Sequence, residues 1–158
     1  MPTPQTRPAN VPPTWFVHVA WRVHRLLYRL SGGRFLWPPG GKRGWGALRL
    51  TTTGRRTGRP RSVIVGYLKE GPNAFTLAMN GWQEGQPAWW LNLQADPHAV
   101  VREARQPPRP VRAYAATGAE RDRLWQRFVS VEPNLDTHAS RRRTETPAVV
   151  FEPRDVVT

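Results

Sequence analysis

Short stretches rich in apolar and β-branched residues recur along this chain, and such stretches are typical of β-strands. They cover residues 48–53, 61–68, 74–79, 98–102, 109–115 and 148–153. Tight turns join neighbouring stretches, so we expect an antiparallel sheet. About six strands are enough to close into a small barrel with helices packed around it. The pattern therefore predicts an α+β fold built on a mostly antiparallel barrel.

The N-terminal segment, residues 14–30, has the spacing of an amphipathic helix. His18, Arg22, Arg25 and Arg29 recur at steps of four, three and four residues and form one polar face. The segment is too short and too charged to span a bilayer, and it does not resemble a secretion signal. Two alternatives stay open: its apolar side packs on the domain itself, which we favour, or it makes peripheral contact with a membrane surface.

Three further helices are predicted downstream. The first spans residues 88–95. The second begins near Ala119, where Thr117 and Glu120 have the spacing of a capping box. The third is a short piece that carries His138.

Length and composition limit the organisation and the kinds of site. At 158 residues the chain is one domain by size. We predict a flexible arm plus the amphipathic helix over residues 1–33 and the barrel domain over residues 34–158. The chain has no cysteine, and its four histidines show no ligand spacing, so no metal site is predicted.

The charge balance indicates an acidic partner. The formal net charge is +13, and it favours nucleic acid, anionic lipid or an anionic small molecule. A nucleic-acid binder needs aromatic and basic residues interleaved on one exposed surface. Most aromatic residues here lie in amphipathic or helical segments, so we expect no nucleic-acid partner.

The turn of the first predicted hairpin is the most informative stretch. Gly54 and Gly58 are expected to supply the positive φ angles that a tight reversal needs. Four arginines share this turn: Arg55, Arg56, Arg59 and Arg61. Their guanidinium groups repel one another unless an anion lies among them. Two alternatives stay open, namely a grip on the acidic part of a cofactor and a solvated basic turn.

Residues 80–92 form the second informative stretch, N-G-W-Q-E-G-Q-P-A-W-W-L-N. Trp89 and Trp90 are adjacent on a predicted helix, so they point to different faces. One of them can flank a planar ring system, and Asn92 can offer its amide to the same ligand. The alternative, which we favour from the residues alone, is packing of the Trp pair with Asn92 as a local cap.

The hairpin sequence L-T-T-T-G-R-R-T-G-R-P-R resembles that of the deazaflavin-dependent nitroreductase family of actinobacteria. Further matching stretches follow in the same order: the Gly81 loop, P-A-W-W-L-N-L-Q-A-D-P, T-G-A-E-R-D-R-L-W and T-P-A-V-V-F-E-P. The resemblance covers residues 26–153. It implies a split β-barrel, flavin-reductase-like, that uses coenzyme F₄₂₀, a 5-deazaflavin with a phosphate and an oligoglutamate tail. FMN is the less favoured cofactor.

The resemblance also implies the residues of the cofactor site. Those expected to bind the phosphate and the tail are Arg55, Arg56, Thr57 and Arg61. Those expected to border the deazaflavin are Pro60, Ser62, Val63, Ala78, Met79, Asn80, Gly81, Pro87, Ala88, Trp89 and Asn92. A deazaflavin moves electrons as a hydride, so we expect an oxidoreductase that reduces a small organic acceptor: a quinone, an enone, an activated alkene or a nitro compound.

The chain departs from the family pattern at the acceptor side. Members that reduce nitroimidazoles have a serine and a lysine where this chain has Met79 and Asn80, and tyrosines where it has Glu132, Leu135 and His138. The acceptor is therefore not identified by the resemblance. His138 is a candidate proton donor after hydride transfer, because imidazole titrates near neutrality. The alternative, which we favour, is a surface histidine.

The whole-protein alternative is a basic nucleic-acid-binding or membrane-surface protein without redox activity. We expect a cytoplasmic protein, with the inner face of the membrane as the second location, and a monomer or homodimer.

Overall fold

The computed structural model describes residues 15, 19, 22, 23 and 35–155. Most of the predicted arm and N-terminal helix, with the domain boundary at residue 33, lies outside this part of the chain. The four described residues of that helix, Trp15, Val19, Arg22 and Val23, are helical and exposed. Within the described part, no helix is both long and apolar enough to traverse a bilayer.

Six antiparallel strands close into a barrel, which confirms the predicted fold class. The strands are β1 (Gly46–Thr53), β2 (Pro60–Glu70), β3 (Asn73–Leu77), β4 (His98–Arg102), β5 (Arg109–Ala115) and β6 (Ala148–Pro153). Their order around the barrel is β1-β2-β3-β6-β5-β4, and every neighbouring pair is antiparallel. The hairpin of β1 and β2 has the most extensive strand pairing, from Gly46 opposite Tyr67 to Thr53 opposite Pro60.

Within residues 35–155, three α-helices accompany the barrel: α1 (Ala88–Ala95), α2 (Gly118–Val131) and α3 (Leu135–Ser140). The predicted capping box at the start of α2 is wrong, because the Thr117 side chain makes no capping hydrogen bond. The Glu120 carboxylate instead accepts a hydrogen bond of 2.8 Å from the Tyr114 hydroxyl of β5. Glu120 is therefore held against the sheet and does not reach back to the helix start.

The interior of the barrel holds the main hydrophobic core. Alternate residues of each strand face inward, as Leu48 and Leu50 of β1 show, since side chains on a strand alternate between its faces. Trp90 and Leu93 of α1 belong to the same buried cluster. The core thereby fixes α1 to the barrel.

A second core lies on the outer face of β3 and β6. Phe75 of β3 packs edge-to-face on Phe128 of α2, with ring centroids 5.4 Å apart. Leu124 of α2 and Leu135 of α3 join the cluster. The helices thus cover one outer side of the barrel, while the tip of the first hairpin stays exposed.

Candidate functional site

The β1–β2 turn, residues 54–59, is closed by backbone hydrogen bonds. The Gly54 N–H donates to the Arg59 carbonyl at 2.8 Å, and the Gly58 N–H donates to the Gly54 carbonyl at 2.8 Å. Gly58 has the predicted positive φ of 67°, but the same prediction for Gly54 is wrong. Gly54 is constrained by space instead, because a Cβ there would lie 3.0 Å from the Arg59 carbonyl oxygen and 3.1 Å from the Thr57 hydroxyl.

The four arginines of this turn are exposed. Among the described residues, no carboxylate lies within 4 Å of their guanidinium groups. Arg55 donates to an amide of α1, whereas the side chains of Arg56, Arg59 and Arg61 donate no hydrogen bond within the described part. We call these four residues the arginine tip. Its positive charge is left uncompensated by protein groups that the structure describes.

Asn92 of α1 joins that helix to the arginine tip. Its side chain is buried, and its Oδ1 accepts hydrogen bonds from the Arg55 backbone N–H at 3.2 Å and from Arg55 Nη1 at 3.1 Å. Its Nδ2 donates to the Thr52 hydroxyl at 3.1 Å. The local-cap interpretation of this side chain is therefore wrong, because its partners lie on the hairpin. Sequence spacing gives no signal for such a distant pair.

The two tryptophans of α1 have different environments. Trp90 is buried in the barrel core, and Trp89 is half-buried against the same cluster, with the two ring centroids 6.4 Å apart. Just before them, Pro87 is buried and Ala88 is exposed.

The predicted site residues of β2 start next to the arginine tip. Pro60 is exposed, whereas Ser62 and Val63 are half-buried. The Ser62 hydroxyl lies 2.9 Å from that of Thr51 and accepts a hydrogen bond of 3.1 Å from Arg49 Nη2. β2 thus continues directly from the turn, and α1 contacts the tip through Asn92 and Arg55.

The loop after β3 has an unusual backbone. Asn80, Gly81 and Trp82 have consecutive positive φ angles of 50°, 61° and 64°. Glycine adopts this region freely and asparagine does so more readily than most residues, whereas for the bulky Trp82 the conformation costs about 1–3 kcal/mol. Of the predicted site residues before them, Ala78 is buried and Met79 is half-buried. The strained loop thus coincides with a stretch expected to border the deazaflavin.

The side chain of Arg142, a residue that follows α3 in the chain, holds this loop in place. Its side chain is buried, with 8% of the residue exposed. Nε donates to the Gln83 carbonyl at 2.9 Å and Nη2 to the Gly85 carbonyl at 2.7 Å. Nη1 donates to the Ala78 carbonyl at 3.3 Å and to the Thr146 hydroxyl at 2.6 Å. Burial lowers the pKa of the guanidinium, and the charge of nearby Glu84 opposes this shift.

Glu84 makes contacts in the opposite direction, from the loop to the residues that follow Arg142. Its carboxylate accepts hydrogen bonds from the Arg143 N–H at 2.8 Å, the Thr144 N–H at 3.1 Å and the Thr144 hydroxyl at 2.8 Å. These bonds hold the pKa of Glu84 below its ordinary range. The Gly85 N–H in turn donates to the Thr144 hydroxyl at 2.8 Å. We call this network between residues 78–85 and 142–146 the loop brace.

His138 of α3 lies beside the braced loop. Its ring is half-buried and packs on Trp82, with ring centroids 5.5 Å apart and planes inclined by 32°. Its Nδ1 is buried and has no hydrogen-bond partner in the described part of the protein. The half-buried ring is compatible with both interpretations of His138, the proton donor and the surface histidine. Among the described residues, no group of three or more His, Asp or Glu side chains is arranged to hold a metal ion.

Comparison with known proteins identifies the family. A family model described as F420H(2)-dependent quinone reductase matches residues 21–153, a span that contains the arginine tip, α1 and the loop brace. The chain belongs to this family. The reductase is therefore a deazaflavin-dependent oxidoreductase, which confirms the resemblance found in the sequence.

Relatives and solved structures agree with this assignment. The F420H(2)-dependent quinone reductase of Mycobacterium tuberculosis strain H37Rv is 30% identical to this reductase over 138 residues, which are 82% of this chain and 87% of the relative. The structure of an F420-H2 dependent reductase, FDR-A, has a TM-score of 0.61 and 24% identity over 67% of this chain and 93% of that chain. A chain described as a domain-swapped dimer has a TM-score of 0.63 and 21% identity over 88% of this chain and 100% of that chain. Both structures support the barrel fold.

Proposed function

We propose that this reductase transfers a hydride from reduced F₄₂₀ to a quinone-type acceptor and that the arginine tip binds the phosphate and the oligoglutamate tail. The proposal rests on one observation, namely that the positive charge of the arginine tip is exposed and uncompensated by described residues. Arg56, Arg59 and Arg61 are exposed, carry positive charge and have no carboxylate within 4 Å among the described residues. A polyanion is the ligand that relieves this repulsion.

The tip fits F₄₂₀ better than FMN on electrostatic grounds. A charge-assisted hydrogen bond to a guanidinium group contributes about 1.5–3 kcal/mol. FMN offers one phosphate, whereas the tail of F₄₂₀ adds several carboxylates, so F₄₂₀ can contact more of the arginines than FMN can. Asn92 supports this arrangement because its two hydrogen bonds fix the position of Arg55.

Residues 34–158 are the proposed deazaflavin-binding domain. Thr57 would bind the phosphate and the tail together with the tip arginines, and the other predicted site residues would border the ring system. Those others are Pro60, Ser62, Val63, Ala78, Met79, Asn80, Gly81, Pro87, Ala88, Trp89 and Asn92. When bound, F₄₂₀ supplies the hydride. The protein holds the acceptor against the ring and excludes water, and such fixed placement accounts for much of the rate in reactions of this kind.

His138 is the proposed proton donor to the acceptor oxygen. Hydride transfer to a quinone leaves an anionic oxygen, which needs one proton. The support is positional: the His138 Nδ1 is buried and has no hydrogen-bond partner among the described residues, and its ring lies against Trp82 of the loop proposed to border the ring system. Histidine is the side chain that most often performs such proton transfers in enzymes.

A parallel titration tests the proposed function. The protein is titrated with reduced F₄₂₀ and with reduced FMN, and turnover is then followed with a set of quinones, enones and nitroaromatic compounds. We expect a dissociation constant for F₄₂₀ in the micromolar range or below, at least about tenfold weaker binding of FMN, and turnover of quinones. Equal affinity for the two cofactors would contradict selection by the arginine tip. Absence of quinone turnover would contradict the proposed acceptor.

A further inference from the structure

The strained loop after β3 must be held in place by its surroundings. Asn80 and Trp82 have φ angles of 50° and 64°, in a region that side chains other than glycine seldom adopt. Such a backbone conformation persists only where several contacts with neighbouring groups hold it in place. Part of the restraint is local, since Asn80 Nδ2 donates to the Glu84 and Gly85 carbonyls at 3.0 and 3.2 Å.

Arg142 supplies restraint from outside the loop. Its guanidinium donates to the carbonyl of Ala78, which precedes the strained residues, and to the carbonyls of Gln83 and Gly85, which follow them. One rigid, planar group therefore fixes both ends of the strained stretch. A lysine ammonium lacks this fork of donors and would not reproduce the same geometry.

The same contacts fix the loop relative to α3. Arg142 follows His138 by four residues, and the Arg142 N–H donates to the Ala139 carbonyl at the end of the helix. Trp82 belongs to the strained loop, and its ring packs on His138. The distance between these two rings therefore depends on the loop brace that has Arg142 at its centre.

We propose that Arg142 is a positioning residue of the reductase: it fixes residues 78–85 so that Trp82 and His138 keep their places beside the acceptor. The inference rests on the proposed function for the location of the acceptor. Arg142 itself contacts the loop, and it acts on the reaction through Trp82 and His138. The side chain of Arg142 is buried, whereas that of Arg143 is exposed. Substitution of Arg143 removes the same charge without the buried contacts, so it serves as the matched control.

The test compares Arg142→Gln with Arg143→Gln in the full chain. Hydrogen exchange of the amides in residues 78–85 reports on the loop. Steady-state kinetics with reduced F₄₂₀ and a short-chain benzoquinone report on catalysis. For Arg142→Gln we expect loop exchange to rise at least about tenfold and kcat to fall about tenfold to hundredfold, as small misplacements do. The dissociation constant for F₄₂₀ should change by less than about threefold, because the arginine tip keeps its charges. Arg143→Gln should change none of these quantities.

A milder variant covers the case in which Arg142→Gln does not fold. Thr146→Val removes a single hydrogen bond, the one of 2.6 Å from Arg142 Nη1, and should shift exchange and kcat in the same direction by a smaller factor. Unchanged loop exchange in whichever of these variants folds would overturn the proposal, and so would faster exchange with kcat equal to the parent value. If the parent protein failed to bind F₄₂₀ or to turn over the quinone, the proposed function would fail and with it the positioning role. Hydrogen exchange would still decide whether Arg142 fixes the loop.

Discussion

The arginine tip and Arg142 of this reductase have opposite surroundings. At the arginine tip the guanidinium groups are exposed, and apart from Arg55 they donate no hydrogen bond to a described residue. In the loop brace, Arg142 is buried and its side chain donates four hydrogen bonds to protein oxygens. The difference shows that charge alone does not indicate the role of an arginine. Donors already used by the protein restrain the fold, and unused donors are free to bind an anion.

The largest expected effect comes from removing two tip arginines, Arg56→Ala with Arg61→Ala. We expect reduced F₄₂₀ to bind at least about a hundredfold more weakly, or about 3 kcal/mol, because two charge-assisted contacts are lost. The free energy of unfolding should change by less than about 0.5 kcal/mol, since these side chains restrain no described part of the fold. Fluorescence titration and urea denaturation measure the two quantities.

A charge-matched control separates the tip from the net charge. Arg112→Ala with Arg154→Ala removes two exposed positive charges outside the proposed site. An equal loss of affinity in both double variants would mean that the overall charge attracts the cofactor. A large loss of stability in the tip variant would show that the tip arginines also restrain the fold, which would contradict the difference drawn between them and Arg142.

Asn92→Ala tests the link between α1 and the tip. The Arg55 N–H and the Thr52 hydroxyl would lose a buried partner, so the free energy of unfolding should fall by about 1–3 kcal/mol. Affinity for F₄₂₀ should fall less than in the double tip variant, because all four guanidinium groups remain. Gln94→Ala, an exposed amide on the same helix, is the control and should leave both quantities unchanged. Full stability of Asn92→Ala would show that the link is dispensable.

The smallest expected effect comes from the carboxylate of the loop brace, that of Glu84. Hydrogen bonds hold the pKa of Glu84 below its ordinary range, so its ionised form stabilises the folded state. That contribution is present above the ordinary carboxyl pKa and is lost as the pH falls through the lowered value. The stability difference between the parent and Glu84→Gln should therefore shrink as the pH falls from about 6 to about 3.

Glu145→Gln is the matched control for that measurement. Its exposed carboxylate accepts no hydrogen bond in the described part of the protein, so its acid unfolding should follow the parent. A stability difference for Glu84→Gln that stays constant over the whole pH range would contradict the role assigned to Glu84.

The elements governed by local sequence were predictable. Strands β4, β5 and β6 and helix α1 have the bounds expected from their apolar runs and from the prolines beside them. Residue composition also indicated the hairpin turn, because glycine and arginine are concentrated there. These features depend on neighbours within a few residues, which a sequence displays directly.

The contacts that organise the site were not predictable, because they join distant parts of the chain. Arg142 stands in a run of three arginines that looks uniformly solvated, yet the fold buries its side chain and leaves Arg143 exposed. Asn92 contacts Arg55 and Thr52 of the hairpin, which lie 37 and 40 positions earlier in the chain. Gly54 illustrates a different error: its small size is needed for a close backbone approach, and its φ is not positive.

Closure of the barrel limits how two copies of this reductase can associate. Each described strand pairs with a neighbour on both sides over at least part of its length, so none of them is open along a whole edge. Short segments still have one strand partner only, such as residues 60–65 of β2, which pair with β1 alone. A homodimer, which remains a prediction, would have to use such a short segment, side-chain surfaces or the exchange of a whole element. The same closure leaves little edge for the strand-to-strand stacking that begins many aggregates.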